Sequence, residues 1–308
     1  MKNYAKLIKL TLIVVTSTIM FSCSDDESNN DGNTIAAVAS KNSNLSILVD
    51  ALERADLSLD RNGSFTVFAP TNDAFIQFLD DNNYDSLDEV PVSTLRQVLL
   101  NHMVTGVNLS TDLSTGYIKT LAKGSASTTN FLSMYVNTAS GVRLNGVASV
   151  SIANIMASNG VVHVVDAVIG LPTVVTHALA NPNLSILASL LDAQGLVPTL
   201  AGRTSSPFTV FAPINSAFTP ATLDLYTSLS PENKTAVLTY HVVAGANVLS
   251  TGIPTTPIAT LQGGTFTVAG TVITDLADRD TNIILSALDI QASNGVVHAV
   301  DNVLLPFN

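Results

Sequence analysis

The 308-residue chain has one cysteine, few basic residues, few charges of either sign and no long apolar run, and each shortage removes a class of function. A single Cys23 permits neither an intrachain disulfide nor a thiolate-clustered zinc or iron–sulfur site, and it rules out redox chemistry by paired thiols. Thirteen basic residues face twenty-four acidic ones, for a net charge of −11. Three of the bases, Lys2, Lys6 and Lys9, fall in the first nine residues, so the remainder carries 24 − 10 = 14 excess negative charges. Nucleic acid is thereby excluded as a partner, because its phosphates would be repelled. The 12% of charged residues is set against 46% hydrophobic ones, ample for packed cores, and the length suits about two domains. Nucleophile-elbow, zinc-protease, phosphate-loop and dinucleotide-loop patterns are missing after residue 23, which lowers the expectation of an enzyme.

What is present begins with Lys2, Lys6 and Lys9 ahead of an apolar run from Leu10 to Phe21. Those 12 residues are too short for a membrane span, which needs ~20, and are of the length expected for a secretory signal peptide, residues 1–22. The run closes on Ser22-Cys23, which resembles a lipoprotein cleavage box and implies lipidation of Cys23. Ser24-Asp25-Asp26-Glu27 and the polar residues to Asn33 form an expected flexible tether, residues 23–33. Acids directly after the cysteine are similar to the surface-export signal of some Gram-negative lipoproteins. The expected location is therefore the cell outer membrane, with the protein lipid-anchored, facing outward and touching the bilayer only through its N-terminal lipid.

The rest is organised by an internal repeat. Phe65-Thr-Val-Phe-Ala-Pro-Thr-Asn-Asp-Ala-Phe75 recurs as Phe208-Thr-Val-Phe-Ala-Pro-Ile-Asn-Ser-Ala-Phe218, identical at nine of eleven positions. Asn44-Leu-Ser-Ile-Leu48 returns at Asn183, Leu99-Leu-Asn-His102 as Leu238-Thr-Tyr-His241, and Ala157-Ser-Asn-Gly-Val-Val-His163 at Ala292. The offsets are 143, 139, 139 and 135, so each unit is a whole domain, with boundaries expected at 34–172 and 173–308. Leu45, Leu48, Val49 and Leu52 follow a helical stripe, as do Leu184, Leu187, Ala188 and Leu191. Thr71 can cap a helix through Phe75, Asn215 is placed to do the same, and Ser93 to His102 forms another helix behind Pro91. Past Tyr117 the pattern turns to β-branched strands, ending in strands buried on both faces from Gly160 and Gly295. Helices early and strands late indicate an α+β fold.

The Phe-Ala-Pro-x-Asn segments, the helix-borne His102 and Tyr240-His241, and the closing Ser-Asn-Gly-Val-Val-His strands resemble the hallmark motifs of the fasciclin domain family. The resemblance implies two tandem fasciclin-like domains, each a β-sandwich-like wedge with packed helices, in a non-enzymatic protein of cell adhesion or matrix binding. It implies an extracellular protein or glycan as partner and no cofactor. A carrier of hydrophobic small molecules, a lipid or a carotenoid, is the alternative. Asn101 stands where the tyrosine of the pair is usual. The family places the helix-borne histidine near the polar residue of the first motif, so His102 is expected beside Asp73 and His241 beside Ser216.

Candidate sites are weighed on the same residues. His102, His241, His163 and His298 form two repeat-related sets within apolar segments, where hydrogen-bonded core residues are expected before ligands or bases. His177, unmatched, is expected on an exposed helical face. Asp166 and Asp301 follow their histidines by three positions in a strand, on the opposite face, which argues against a catalytic dyad. Asp278-Arg-Asp280-Thr-Asn282 has calcium-loop spacing, with Asp289 at position 12, but lacks the turn glycine and is expected to be a polar hairpin turn. Asp289-Ile290 resembles a dipeptide linked to integrin binding in animal members and is taken first as a strand-entry feature; Asn154-Ile155 replaces it in repeat one. Binding candidates are thus His102, Tyr240, His241, Asp289 and Ile290, with no catalytic or metal-ligating residue.

Overall fold

A computed structural model describes residues 33–58, 63–202 and 204–307. Cys23, the leader and most of the tether lie outside the described residues. Repeat one opens with helices α1 (Ile35–Ser40) and α2 (Ser46–Arg54), then strand β1 (Phe65–Pro70), α3 (Asn72–Asp81) and α4 (Val92–Asn101). The strands β2 (Met103–Thr105), β3 (Gly116–Gly124), β4 (Ser127–Asn137), β5 (Arg143–Leu144), β6 (Ala148–Ala157) and β7 (Gly160–Val165) follow. They form one seven-stranded sheet in the order β2-β1-β7-β6-β5-β4-β3. Only β1 and β7 pair in parallel, with Phe65 opposite Gly160 and Pro70 opposite Val165. β7 is buried along its whole length and β1 over all but its first residue, which is why both are near-continuous apolar runs. Gly160 is obligatory there: it has φ 152°, and a Cβ would lie 1.9 Å from the Phe65 carbonyl oxygen.

Repeat two carries α5 (Val174–Ala180), α6 (Ser185–Ala193), α7 (Val197–Ala201), β8 (Phe208–Pro213), α8 (Pro220–Ser228) and α9 (Pro231–Tyr240). Its remaining strands are β9 (Val242–Ala244), β10 (Ile258–Ala259), β11 (Thr265–Ala269), β12 (Val272–Thr274), β13 (Asp280–Asn282), β14 (Ile290–Ala292) and β15 (Gly295–Val300). Here two four-stranded sheets form, β14-β15-β8-β9 and β10-β11-β12-β13. They face each other across Phe211, Val300, Phe266 and Ile273, the inner layer of a sandwich. In repeat one the single strand β6 runs through the corresponding region, with register shifts between Val150, Ile152 and Ile155, and so joins both halves into one sheet. In repeat two that path is broken by a helical turn at Leu285–Ala287.

Each repeat buries its helical stripe in a second core, with Leu45, Leu48, Leu95 and Phe75 in the first and Leu184, Leu187, Leu238 and Phe218 in the second. Thr71 caps α3 by accepting the Ala74 N–H. Asn215 does not cap its helix. Ile214 replaces Thr71 at the preceding position, Asn215–Ala217 forms only a 3₁₀ turn, and Thr219 caps α8 ahead of Pro220.

The repeats also touch. The Ser293 N–H donates to the Pro172 carbonyl at 2.7 Å, and the Ser293 carbonyl accepts from Ala126 N–H at 2.9 Å. The Gln291 N–H donates to Ser133 Oγ at 3.0 Å, and Lys119 Nζ donates to the Asp289 carbonyl at 2.9 Å. Among the described residues no single helix is long and apolar enough to cross a membrane.

Candidate functional site

The four repeat-related histidines form two constructions, each built twice. At the end of α4, His102 Nδ1–H donates to the Val98 carbonyl at 2.8 Å while Nε2 accepts the Ile169 N–H at 2.8 Å. At the end of α9, His241 does the same with Val237 O at 2.8 Å and Leu304 N–H at 2.9 Å. Each ring therefore fastens a helix C-terminus to the segment that leaves the final strand of its repeat. Burial lowers both pKa values from 6.5 to about 4, so at neutral pH the rings are uncharged, as the accepted N–H bonds require.

The expected pairing with the first motif does not occur. Asp73 and Ser216 are both exposed, whereas His102 and His241 are 1% and 2% exposed. Asp73 lies in the first turn of α3, where its carboxylate faces the positive end of the helix and solvent. The neighbouring asparagine carries the structural load of that motif. Asn72 Oδ1 accepts the Ile47 N–H at 3.0 Å and its Nδ2 donates to Ser43 O and Ser46 Oγ. Asn215 repeats this with Ile186 N–H, Pro182 O and Ser185 Oγ. The available signal was that Asn is identical in both copies while Asp73 and Ser216 differ.

His163 and His298 sit mid-strand, each stacked on the phenylalanine opposite, Phe68 at 5.5 Å and Phe211 at 5.6 Å. Nε2–H donates to Asn108 O in one copy and Val248 O in the other, both at 2.9 Å. Nδ1 accepts the N–H of Asn154 or Asp289 at 3.3 Å. Those two residues adopt left-handed φ values of 62° and 54° and use their side chains alike. Asn154 holds Ser110 through its N–H and hydroxyl, and Asp289 holds Ser250 through 2.7 Å and 2.6 Å bonds. The carboxylate also approaches His298 Nδ1 to 3.8 Å, but that nitrogen is already an acceptor and burial lowers the ring's pKa, so the contact is no ion pair at neutral pH. Ile290 is 3% exposed. The Asp-Ile dipeptide thus anchors the turn into β14.

The Tyr-His pair has diverged between copies. Tyr240 is fully buried, donates to Thr265 O at 2.6 Å and accepts the Leu276 N–H at 3.2 Å, tying α9 to the second sheet. Asn101 instead turns its amide to Ile169 O and Gly170 O. Burial raises the Tyr240 phenol above its ordinary pKa.

His177 contradicts the expectation of an exposed face. It is 0% exposed, packed edge-on against Tyr117 of repeat one at 5.5 Å, with Nε2 3.3 Å from the Gln291 carbonyl. Tyr117 of the other repeat covers the ring, a contact that periodicity within one helix does not reveal. Of the Asp278–Asn282 segment only Asp278 and Arg279 lie in the hairpin turn, since Asp280–Asn282 form β13 paired with β12; the turn is organised by Asp275, which sequence reasoning passed over. The Asp275 carboxylate, itself buried, accepts N–H groups of Ala277, Arg279 and Leu305 and pairs with the Arg279 guanidinium at 2.8 Å. Asp280 and Asn282 are engaged with Thr274 and Asp301. Among the described residues no group of three His, Cys, Asp or Glu side chains converges as a metal site. The apolar pocket beside Leu48, Leu99 and His102 has room of about 10 Å³, the space of one water.

These paired rivets lie in two stretches that match one family. The model of the fasciclin domain matches residues 43–172 and 182–306. The chain belongs to the fasciclin domain family. It is 29% identical over 277 residues to the porcine transforming growth factor-beta-induced protein ig-h3, covering 84% of this chain and 37% of that one. The chain therefore spans just over a third of that relative's length. It is 34% identical over 144 residues to the immunogenic protein MPB70 of Mycobacterium bovis, covering 43% of this chain and 68% of that protein. Among solved structures, a FAS1 domain pair from the insect cell adhesion molecule fasciclin I aligns with TM-score 0.46 and 19% identity, over 84% of this chain and 92% of that one. Tandem fasciclin domains account for the mixed helix and sheet of each repeat.

Proposed function

We propose that this fasciclin protein works by binding and not by turnover, as a surface adhesion or matrix-binding protein whose partner is an extracellular protein or glycan. It is held at the outer membrane by lipid on Cys23, with the acidic tether setting the two domains away from the bilayer. The observation that carries the reading is how the repeated polar residues are used. The side chains most faithfully duplicated, Asn72 and Asn215, His102 and His241, and His163 and His298, are engaged with backbone groups of their own domain. The duplicated motifs thus maintain a frame, and specificity falls to the surface between and around them.

The experiment compares cells carrying the native protein with cells carrying Cys23→Ser, on an array of matrix proteins and glycans. Adhesion by the first and loss from the membrane fraction in the second supports the reading, as does mass-spectrometric detection of lipid on Cys23. Asp25, Asp26 and Glu27 changed together to Ala should leave lipidation intact and remove protease accessibility on whole cells. An unmodified Cys23, or adhesion equal to cells lacking the protein, refutes it.

A further inference from the structure

A cleft of about 590 Å³ lies between the two domains. One wall comes from α4 and the β3–β4 hairpin, through Ser93, Thr94, Gln97, Lys123 and Thr128. The other comes from Thr173, Ser293 and Asn294 of the second repeat. The walls meet where Gly124 presses on Ser293, so closely that a Cβ at Gly124 would stand 2.3 Å from the Ser293 Cα. The cleft is therefore a product of the domain pair, and neither repeat contains it alone.

Its lining is unusual for this chain. Although the protein carries twenty-four acids, none of the described residues lining the cleft is acidic, and Lys123 is the only charged side chain among them. The Lys123 ammonium makes no ion pair among the described residues; it is held over the Phe131 ring at 5.3 Å. The exposed hydroxyls of Ser93, Thr94 and Thr128 have no protein partner among the described residues, and each can donate and accept. The Gln97 Oε1 is used by the Lys123 N–H, which leaves its amide N–H groups free. A ring of unengaged hydroxyls and amide donors around one unpaired ammonium, in a volume suited to a small ligand, complements a polyhydroxylated molecule bearing a negative charge.

We propose that this interdomain cleft binds a short anionic oligosaccharide, with Lys123 pairing to a uronate carboxylate or a sulfate and the hydroxyl rim bonding the sugar hydroxyls. This deepens the binding reading above and rests on it. The acidic remainder of the surface does not oppose it at physiological salt, where charges beyond ~8 Å are largely screened.

The full-length protein in detergent is titrated by calorimetry with an oligogalacturonate, a sulfated oligosaccharide and a neutral oligogalactose of equal length. At least one anionic sugar should bind about tenfold more tightly than the neutral one. Lys123→Met should remove that advantage, Lys123→Arg should keep it, and Lys234→Met, the same charge change on α9, should leave it intact. Gly124→Ala should weaken both kinds of sugar by separating the walls. Equal affinity for anionic and neutral sugars, or Lys123→Met matching the wild type, overturns the proposal, as does an equal loss in Lys234→Met. Equal affinity for anionic and neutral sugars in calorimetry, with wild-type cells still adhering on the matrix array, would refute the cleft alone and leave the surface-binding reading standing.

Discussion

Acidification from pH 7 to pH 5 should destabilise both domains through their buried histidines. His102 in the first domain and His241 and His177 in the second are at most 2% exposed, and burial lowers each pKa from 6.5 to about 4. The folded pKa lies below the unfolded one, so between the two values the unfolded chain binds more protons. Stability is whole above pH 6.5, declines as pH falls through that value, and has lost its full share below pH 4. At pH 5 an unfolded histidine is almost wholly protonated and the folded one is not, which works out at about 2 kcal/mol for each ring. That is one such loss in the first domain and two in the second, where His177 carries an unpartnered Nδ1 and feels the nearby Lys119 charge. For domains of this size 2 kcal/mol corresponds to a fall of roughly 5–10 °C in Tm. The second domain should lose more than the first, and burial also lowers the pKa of His163 and His298, one in each domain, which adds to both losses. Carboxylates with ordinary pKa values of about 4 contribute little in this window, so the histidines are isolated from them. The assay is hydrogen exchange with mass spectrometry at pH 7 and pH 5, corrected for intrinsic rate, with β7 and β15 as reporters because a two-domain chain does not unfold as one two-state unit. Proton NMR of the ring Cε1–H groups gives the folded pKa values directly. Unchanged protection of both strands, or a ring titrating near 6.5 in the folded protein, would refute the reasoning.

Three further outcomes are expected. Asn72→Ala and Asn215→Ala should each cost about 1–3 kcal/mol by orphaning partly buried backbone groups, whereas Asp73→Ala and Ser216→Ala should stay within about 0.5 kcal/mol, as read by thermal melts of the four variants; the reverse order would restore the histidine pairing that the structure lacks. Asp275→Ala should destabilise the second domain by about 3–5 kcal/mol, because it leaves the partly buried Arg279 guanidinium without its carboxylate, with only the Val303 carbonyl to accept from it, and three backbone N–H groups unpaired, and it should do so more than Arg279→Met in urea unfolding followed at β15. Gly124→Ala should loosen the domain pair without unfolding either half, so small-angle scattering should show a larger radius of gyration at unchanged circular dichroism.

The sequence alone determined the duplicated architecture. Local signals act over a few residues and survive translation into structure: the stripe from Leu45 to Leu52 became α2, Thr71 became a cap, Pro91 preceded α4, and the apolar runs from Gly160 and Gly295 became strands buried along their lengths. The doubled motifs were enough to recognise the fasciclin family, because identical strings in identical order need no geometry to be compared. What the tertiary structure decided is everything that joins residues far apart in the chain. His102 meets Ile169 across 67 positions and Asp275 meets Leu305 across 30, distances over which no periodicity operates. Asp73 seemed the natural partner for a histidine by charge, yet the direction of the first turn of α3 sends it to solvent and hands the interior bonds to Asn72. His177 lies between Gln291 of its own repeat and Tyr117 of the other, and the cleft around Lys123 lies where Gly124 and Ser293 bring the two domains together. Composition and spacing specify what each segment prefers; packing between segments decides which polar groups lose water and must find one another.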